Sequence, residues 1–332
     1  MKRAVARLFS SRITQLLLGL GVGFLCLFLA LRGVDWLEVQ KTILKAAPLY
    51  ICLAFGVTVV NIALKILRWQ VQLNPDRQKI RLPGIAASFL SAQMLNAVVP
   101  IRLGEVQRVY VIGGSGSTHG FVLGTIVAEK SLDMLAYAVL IGILLLWIPL
   151  PKWLGGSISA LIGITLIQVA LLFILVLKRD YFLGLVEKLS QHFSARIQEI
   201  LLKNTHSGFA SFDVFRQPLP ALKLSLITAL IWSAAVLANY WVLMALDIRV
   251  PLAASLLVLV AVQAGISFPS LPGKIGVFEL TCILALEFFG VSRAIALSYG
   301  ILLHVVVFIP ILVPGLISFL YLQIEGPPPV PH

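Results

Sequence analysis

Six long, predominantly apolar stretches, at about 12–31, 49–67, 120–147, 155–177, 221–245 and 294–323, constrain this chain more than any other feature. A helix rises about 1.5 Å per residue and must cover about 30 Å of hydrocarbon, so each stretch is long enough to cross a bilayer. Lipid offers no hydrogen bonds, so crossing segments must pair their backbone groups internally. An all-α polytopic membrane protein is therefore expected. Hydrophobic residues make up 59% of the chain and charged residues 12%. A soluble domain carries about 25% charged residues, so much of this surface must face lipid. One membrane domain is expected over 1–325, with an extended Pro-rich tail over 326–332. Pro310 and Pro314 predict a kink in the last span. Lys2, Arg3, Arg7 and Arg12 before the first stretch resemble a signal peptide. The apolar run is long for that role and no A-x-A site follows it, so an uncleaved span is expected.

The net charge of +12 reads as topology setting and contact with anionic headgroups rather than nucleic-acid binding. With the N-terminus cytoplasmic, segments 1–12, 68–83 and 178–220 hold 4, 4 and 6 Lys/Arg, against 6 on the opposite side. That bias predicts both termini inside, in the plasma membrane. Segment 178–220 carries apolar residues at helical spacing, from Phe182 to Leu201, and predicts an amphipathic helix on the inner leaflet or under the bundle. Arg68-Trp69 reads as an interfacial anchor. Cys26, Cys52 and Cys282 lie in apolar segments without metal-ligand spacing and read as buried apolar side chains. No metal, nucleotide or other cofactor site is expected.

Two apolar segments are too short to cross. Gly84–Val99 and Leu252–Phe268 have 16 and 17 residues, or about 24–26 Å as helices. The first runs into Pro100 and the second into Pro269 and Pro272. Short, broken segments of this kind read as re-entrant helical hairpins. Pro100-Ile101-Arg102-Leu103-Gly104 follows the first, and Pro272-Gly273-Lys274-Ile275-Gly276 the second. Each pentapeptide is proline, any residue, base, aliphatic, glycine, and each is followed by a carboxylate, Glu105 or Glu279. Three intervening spans would make this an inverted-topology repeat, giving about six full spans and two broken hairpins. Broken backbone at membrane depth must be buried in protein or line a wet cavity. Free N–H groups and basic side chains there suit an anionic headgroup.

Glu129, Lys130 and Asp133 sit within an apolar span. A charge at the centre of such a helix costs roughly 2.5–3.5 kcal/mol, so these groups must face the interior. Glu129 and Asp133 share a face, and Lys130 can pair with Asp133. The cluster is an internal ion-pair lock or a substrate path. Arg102 suits phosphate oxygens; alternatively it pairs with Glu129 or Asp133. Arg108 is an interfacial base or a site residue. Asn96 caps the broken backbone or binds ligand. Gly273 and Gly276 permit tight turning. Lys274 reaches a ligand or snorkels to the surface. Glu279 suits a helix N-terminus or the site. Glu287 reads as solvated, and His304 as a packed, hydrogen-bonded histidine or a proton relay.

Together, these residues resemble the lysylphosphatidylglycerol synthase transmembrane family, also called flippase-like membrane proteins. The likeness rests on Arg68-Trp69, on Asn96 through Pro100, Arg102, Gly104, Glu105 and Arg108, on Glu129 with Asp133, and on Pro269, Pro272, Gly273, Gly276, Phe278 and Glu279. Two positions depart from the family pattern: Lys130 stands where Arg is usual, and Lys274 where a second Gly is usual. The resemblance implies translocation of a phospholipid or related anionic or modified amphiphile between leaflets. The aminoacyltransferase domain of full-length synthases does not follow here, so lipid aminoacylation is not expected. The alternatives are a non-transporting scaffold or partner of a separately encoded lipid-modifying enzyme, and an intramembrane enzyme. The last could use Ser115 of Gly113-Gly114-Ser115-Gly116 with His304, or the carboxylates Glu129 and Asp133.

Overall fold

The computed structural model describes residues 19–73, 80–99, 103–113, 117–147, 178–267 and 271–326, with isolated helical residues between 163 and 174. The described residues are helical, without strands. Pro100, Arg102, Pro269, Ser115, most of the expected span 155–177 and the tail beyond Gly326 lie outside them.

The first expected span appears as α1 (Gly19–Leu31), which bends by 85° into α2 (Trp36–Leu44). Gly33 makes the turn at φ +71°, and the Asp35 side chain caps α2 by accepting from the N–H of Leu37 at 2.9 Å. Among the described residues, four helices are long and apolar enough to cross a membrane: α3 (Pro48–Leu73), α6 (His119–Trp147), α9 (Pro218–Ala245) and α12 (Arg293–Glu325). α12 contains Pro310 and Pro314 and continues past both. The two short apolar segments are the first arms of helical hairpins, α4 (Leu82–Val98) with α5 (Leu103–Gly113), and α10 (Leu252–Gly265) with α11 (Val277–Glu287). A single amphipathic helix was expected over 178–220. The chain instead forms α7 (Arg179–Ser190) and α8 (Ala195–Ala210), packed on each other. α8 seats on α6, where Gly120 and Gly124 leave room for the backbone at Asn204 and Gly208.

The order span–hairpin–span thus occurs twice, as α3–α4–α5–α6 and α9–α10–α11–α12. The spans α3 and α9 pack along each other in opposite directions. Ala47, just before α3, donates its N–H to the carbonyl of Ala245 at the end of α9 (2.8 Å). Tyr50 stacks on Trp241. Asn61 donates to the Ile231 carbonyl, and near its far end Arg68 meets Thr228. Antiparallel first spans mean that the two halves run through the molecule in opposite senses. The remaining contacts follow the same exchange: α4 packs on α12 while its counterpart α10 packs on α6. Gly315 of α12 lies against the Leu90 carbonyl and Met94 of α4; Tyr137 of α6 donates to the Val260 carbonyl of α10 at 2.7 Å.

Of the three cysteines, only Cys282 is buried; Cys26 is half-buried and Cys52 exposed. The latter two sit on outward faces of apolar helices, where lipid covers a thiol as well as protein does.

With the native cysteines replaced by serine, Ala47→Cys with Ala245→Cys should form a disulfide on mild oxidation, whereas Ala47→Cys with Leu219→Cys at the opposite end of α9 should not. Gel mobility after oxidation reads the result.

Candidate functional site

The first half encloses an ionic cluster built from two polar stripes. On α3, Asn61, Lys65, Arg68 and Gln72 recur at spacings of four, three and four, which is one helical face. On α6, Thr125, Glu129 and Asp133 recur every fourth residue. The stripes face each other. Arg68 forms a fork with Asp133, Nη1 to Oδ1 at 2.7 Å and Nη2 to Oδ2 at 3.0 Å. Its Nη2 also lies 3.9 Å from Glu129, and Nη1 reaches the Thr228 hydroxyl at 3.2 Å. Arg108 of α5 donates from Nη2 to the other Glu129 oxygen at 2.7 Å. The Arg108 guanidinium lies 3.8 Å from the centre of the Trp69 ring. Trp69 in turn donates its indole N–H to Thr125 at 3.2 Å. Fork geometry and ring stacking are particular to arginine; a lysine at 68 or 108 would supply neither.

Arg68 and Trp69 are both buried, which corrects their reading as an interfacial anchor. The helix continues to Leu73, about six residues beyond the expected end of the span, and carries them inside the protein. Arg108 is likewise buried rather than interfacial. The expected Lys130–Asp133 pair is replaced: Asp133 is taken by Arg68, and Lys130 lies 3.6 Å from Glu105 of α5. The carboxylates considered as partners for Arg102 are occupied by Arg68 and Arg108.

Asn96 caps the next helix. Its Oδ1 accepts the N–H of Gly104 at 2.8 Å, and a Cβ on Gly104 would fall 2.1 Å from the Ala92 carbonyl. This close approach holds α5 against α4, and so sets the position of Glu105 and Arg108. In the second half, Pro272 to Lys274 form a tight turn that packs on α4. Gly273 and Gly276 have φ of +73° and +88°, and Lys274 shares this left-handed region at +62°. Gly276 lies against the backbone of Gly23 and Leu27 in α1, without space for a Cβ. Glu279, at the third position of α11, accepts the Gly276 N–H at 2.7 Å and meets His304 Nδ1 at 2.6 Å. Glu287, expected to be solvated, pairs with Arg293 at 3.0 Å. The structure therefore gathers Glu105, Arg108, Glu129, Lys130 and Asp133 into one cluster, with Arg68 and Lys65 added. Pro272, Gly273, Lys274, Gly276 and Glu279 form a second group at the other hairpin.

Lys65 distinguishes the first cluster. Asp133, Arg68, Lys130 and Glu129 are within its electrostatic reach, yet among the described residues no carboxylate lies within 4 Å of its ammonium. Among the described residues, four bases surround three carboxylates here. Arg68 Nε and Arg108 Nε are buried donors without a partner among the described residues, and the Gln72 amide nitrogen and oxygen likewise have none there. Buried polar groups are ordinarily satisfied, so this seam has unused capacity to hydrogen-bond. No group of three or more His, Cys, Asp or Glu among the described residues could hold a metal ion.

Residues 16–315 match the family described as the lysylphosphatidylglycerol synthase TM region. The chain is also similar to a UPF0104 membrane protein of Methanothermobacter thermautotrophicus, with 22% identity over 313 residues, 89% of this chain and 88% of the relative.

Removing one partner of a buried ion pair leaves the other uncompensated and costs about 3–5 kcal/mol. Arg68→Met should therefore lower thermal stability in detergent substantially, and Arg68→Met with Asp133→Leu should recover at least half of that loss. A loss in the double variant equal to the sum of the Arg68→Met and Asp133→Leu losses would show that the fork contributes no coupling.

Proposed function

The chain belongs to the family of the lysylphosphatidylglycerol synthase TM region, and on that premise we propose that it moves an anionic phospholipid or related amphiphile between the leaflets of the cell membrane. The observation that carries the proposal is the excess of bases over carboxylates around Lys65, beside buried guanidinium donors with spare hydrogen-bonding capacity. A phosphate is the ligand such a group suits. It offers several acceptor oxygens, accepts charge-assisted hydrogen bonds from guanidinium N–H groups and neutralises the excess cation.

The inverted halves support transport rather than simple binding. Two copies of one unit in opposite orientation can exchange conformations, so that a central site faces each side in turn. The second hairpin is the part better suited to move, because it is a pair of short helices held by a close glycine contact and one acid–base pair, whereas the first is held by two. The Arg68–Asp133 fork instead joins two full spans and belongs to the frame. Both termini are proposed to be cytoplasmic, following the distribution of basic loop residues; moving Arg68 from the loops to the interior leaves 13 against 6 and does not change the bias.

Reorientation of fluorescent phosphatidylglycerol in proteoliposomes tests the reading. Arg108→Ala and Glu129→Gln, each confirmed monodisperse in detergent, should slow reorientation about tenfold or more, in keeping with loss of a charge-assisted contact to a buried site. Unchanged transport in both variants would remove these residues from the mechanism.

A further inference from the structure

When the halves are aligned by their helix starts, one acid–base pair recurs in the same register. The acid is the third residue of each second hairpin arm, Glu105 in α5 and Glu279 in α11. The base is the twelfth residue of each following span, Lys130 in α6 and His304 in α12. Each pair fastens a hairpin to the next span, at 3.6 Å in the first half and 2.6 Å in the second. The bases differ in chemistry. Lysine stays charged at physiological pH, and the Lys130 side chain is 42% exposed, so water can solvate it when the pair opens. Histidine is the side chain that changes charge between about pH 5 and 8. The His304 side chain is only 15% exposed and lies between the rings of Phe278 and Phe308.

The charged and titratable groups on the surrounding helices are few. α4 and α10 carry no charged residue. On α11, Glu287 is engaged by Arg293, and the Cys282 thiol is buried. On α12 the others are Tyr299, Tyr321 and Glu325, and the adjoining turn contributes Lys274. α2 brings Glu38 and Lys41, and α9 brings Lys223 and Tyr240. α3 brings Tyr50, Cys52, Lys65 and Arg68, with Arg68 committed to Asp133. Among the described residues, Glu279 is the carboxylate within ion-pair distance of His304.

We propose that Glu279 and His304 form a proton-binding site that fastens α11 to α12 when occupied and releases it when empty. Resting on the lipid-moving reading above, this makes movement of the second hairpin, and transport with it, depend on pH. With the proton bound, imidazolium Nδ1–H donates to the Glu279 carboxylate, and separation would leave two isolated charges in an apolar setting. Loss of that proton to water leaves a neutral imidazole. Glu279 remains ionised but is not stranded, because its other oxygen keeps the Gly276 N–H and the carboxylate faces the N-terminus of its own helix. The hairpin can then part from α12 without isolating a charge.

Cys282 reports on the contact directly. It is buried, and its Cβ lies 3.3 Å from where a Cβ on Gly300 of α12 would sit. In a Cys26→Ser, Cys52→Ser background, N-ethylmaleimide labelling of Cys282 measures separation of the two helices. His304→Lys installs the permanently charged base of the first half and should label slowly at every pH. Glu279→Gln should label quickly at every pH. The ratio to His304→Lys, which keeps the Glu279 carboxylate beside the thiol, cancels the intrinsic pH response of Cys282. The labelling rate relative to His304→Lys should rise about fivefold or more between about pH 5.5 and pH 8. Reorientation of fluorescent phosphatidylglycerol by the unsubstituted protein should rise over the same range. Should His304→Lys not fold, the ratio to His304→Gln, which cannot hold the proton and keeps Glu279, carries the same test. A pH-independent ratio overturns the proton site whatever transport does. A pH-dependent ratio with no lipid movement at any pH upholds the proton site and contradicts the lipid reading.

Discussion

A charge inside a low-dielectric protein in lipid must be paired, and the Arg68–Asp133 fork is where this chain meets that demand most completely. The fork binds α3 to α6, reaches Thr228 of α9, and stands beside Glu129, which holds Arg108 of α5. Four helices meet at this one network. Leaving any member without its counter-charge would cost more than the polar contacts gain, so the network fixes how the spans approach one another. Close glycine contacts at residues 104, 120 and 315 then set how near the neighbouring helices can come.

Around this network the molecule is organised as two oppositely directed copies of span–hairpin–span. The copies keep the backbone plan and the acid–base joint at each hairpin, but they differ in charge. Glu129 and Asp133 in the first copy correspond to Leu303 and Val307 in the second, so the arginine cluster exists once. Architecture is shared between the halves while the polar chemistry is divided: a positively biased seam in one and a titratable joint in the other. A substrate anion and a proton would thus act on different halves of the same device.

Much of this was legible in the amino-acid sequence because the determining signals are local. Apolar runs of sufficient length specify spans, and prolines after runs that are too short specify hairpins. The paired pentapeptides indicated the repeat, and the spacing of Glu129 and Asp133 placed them on one inward face. Arg68 was misread because an Arg-Trp pair at the end of an apolar run looks the same whether the helix stops there or continues. The stripe of Asn61, Lys65, Arg68 and Gln72 was the signal that could have separated the two cases. The partner of Lys130 could not be found locally, since Glu105 and Asp133 are both in reach by sequence and only the packing of α5 on α6 selects between them. The correspondence of Lys130 with His304 needed helix starts that the sequence defines only loosely.

The lipid-moving reading depends on the seam between α3, α5 and α6 accepting an anion, and Lys65 is the residue whose charge that anion would balance. Native mass spectrometry of the detergent-solubilised protein, titrated with phosphatidylglycerol and phosphatidylcholine, measures this without requiring transport. The account predicts preferential retention of phosphatidylglycerol, and a loss of about tenfold in that preference on Lys65→Met. Equal retention of the two lipids, or a preference that Lys65→Met leaves intact, would contradict it.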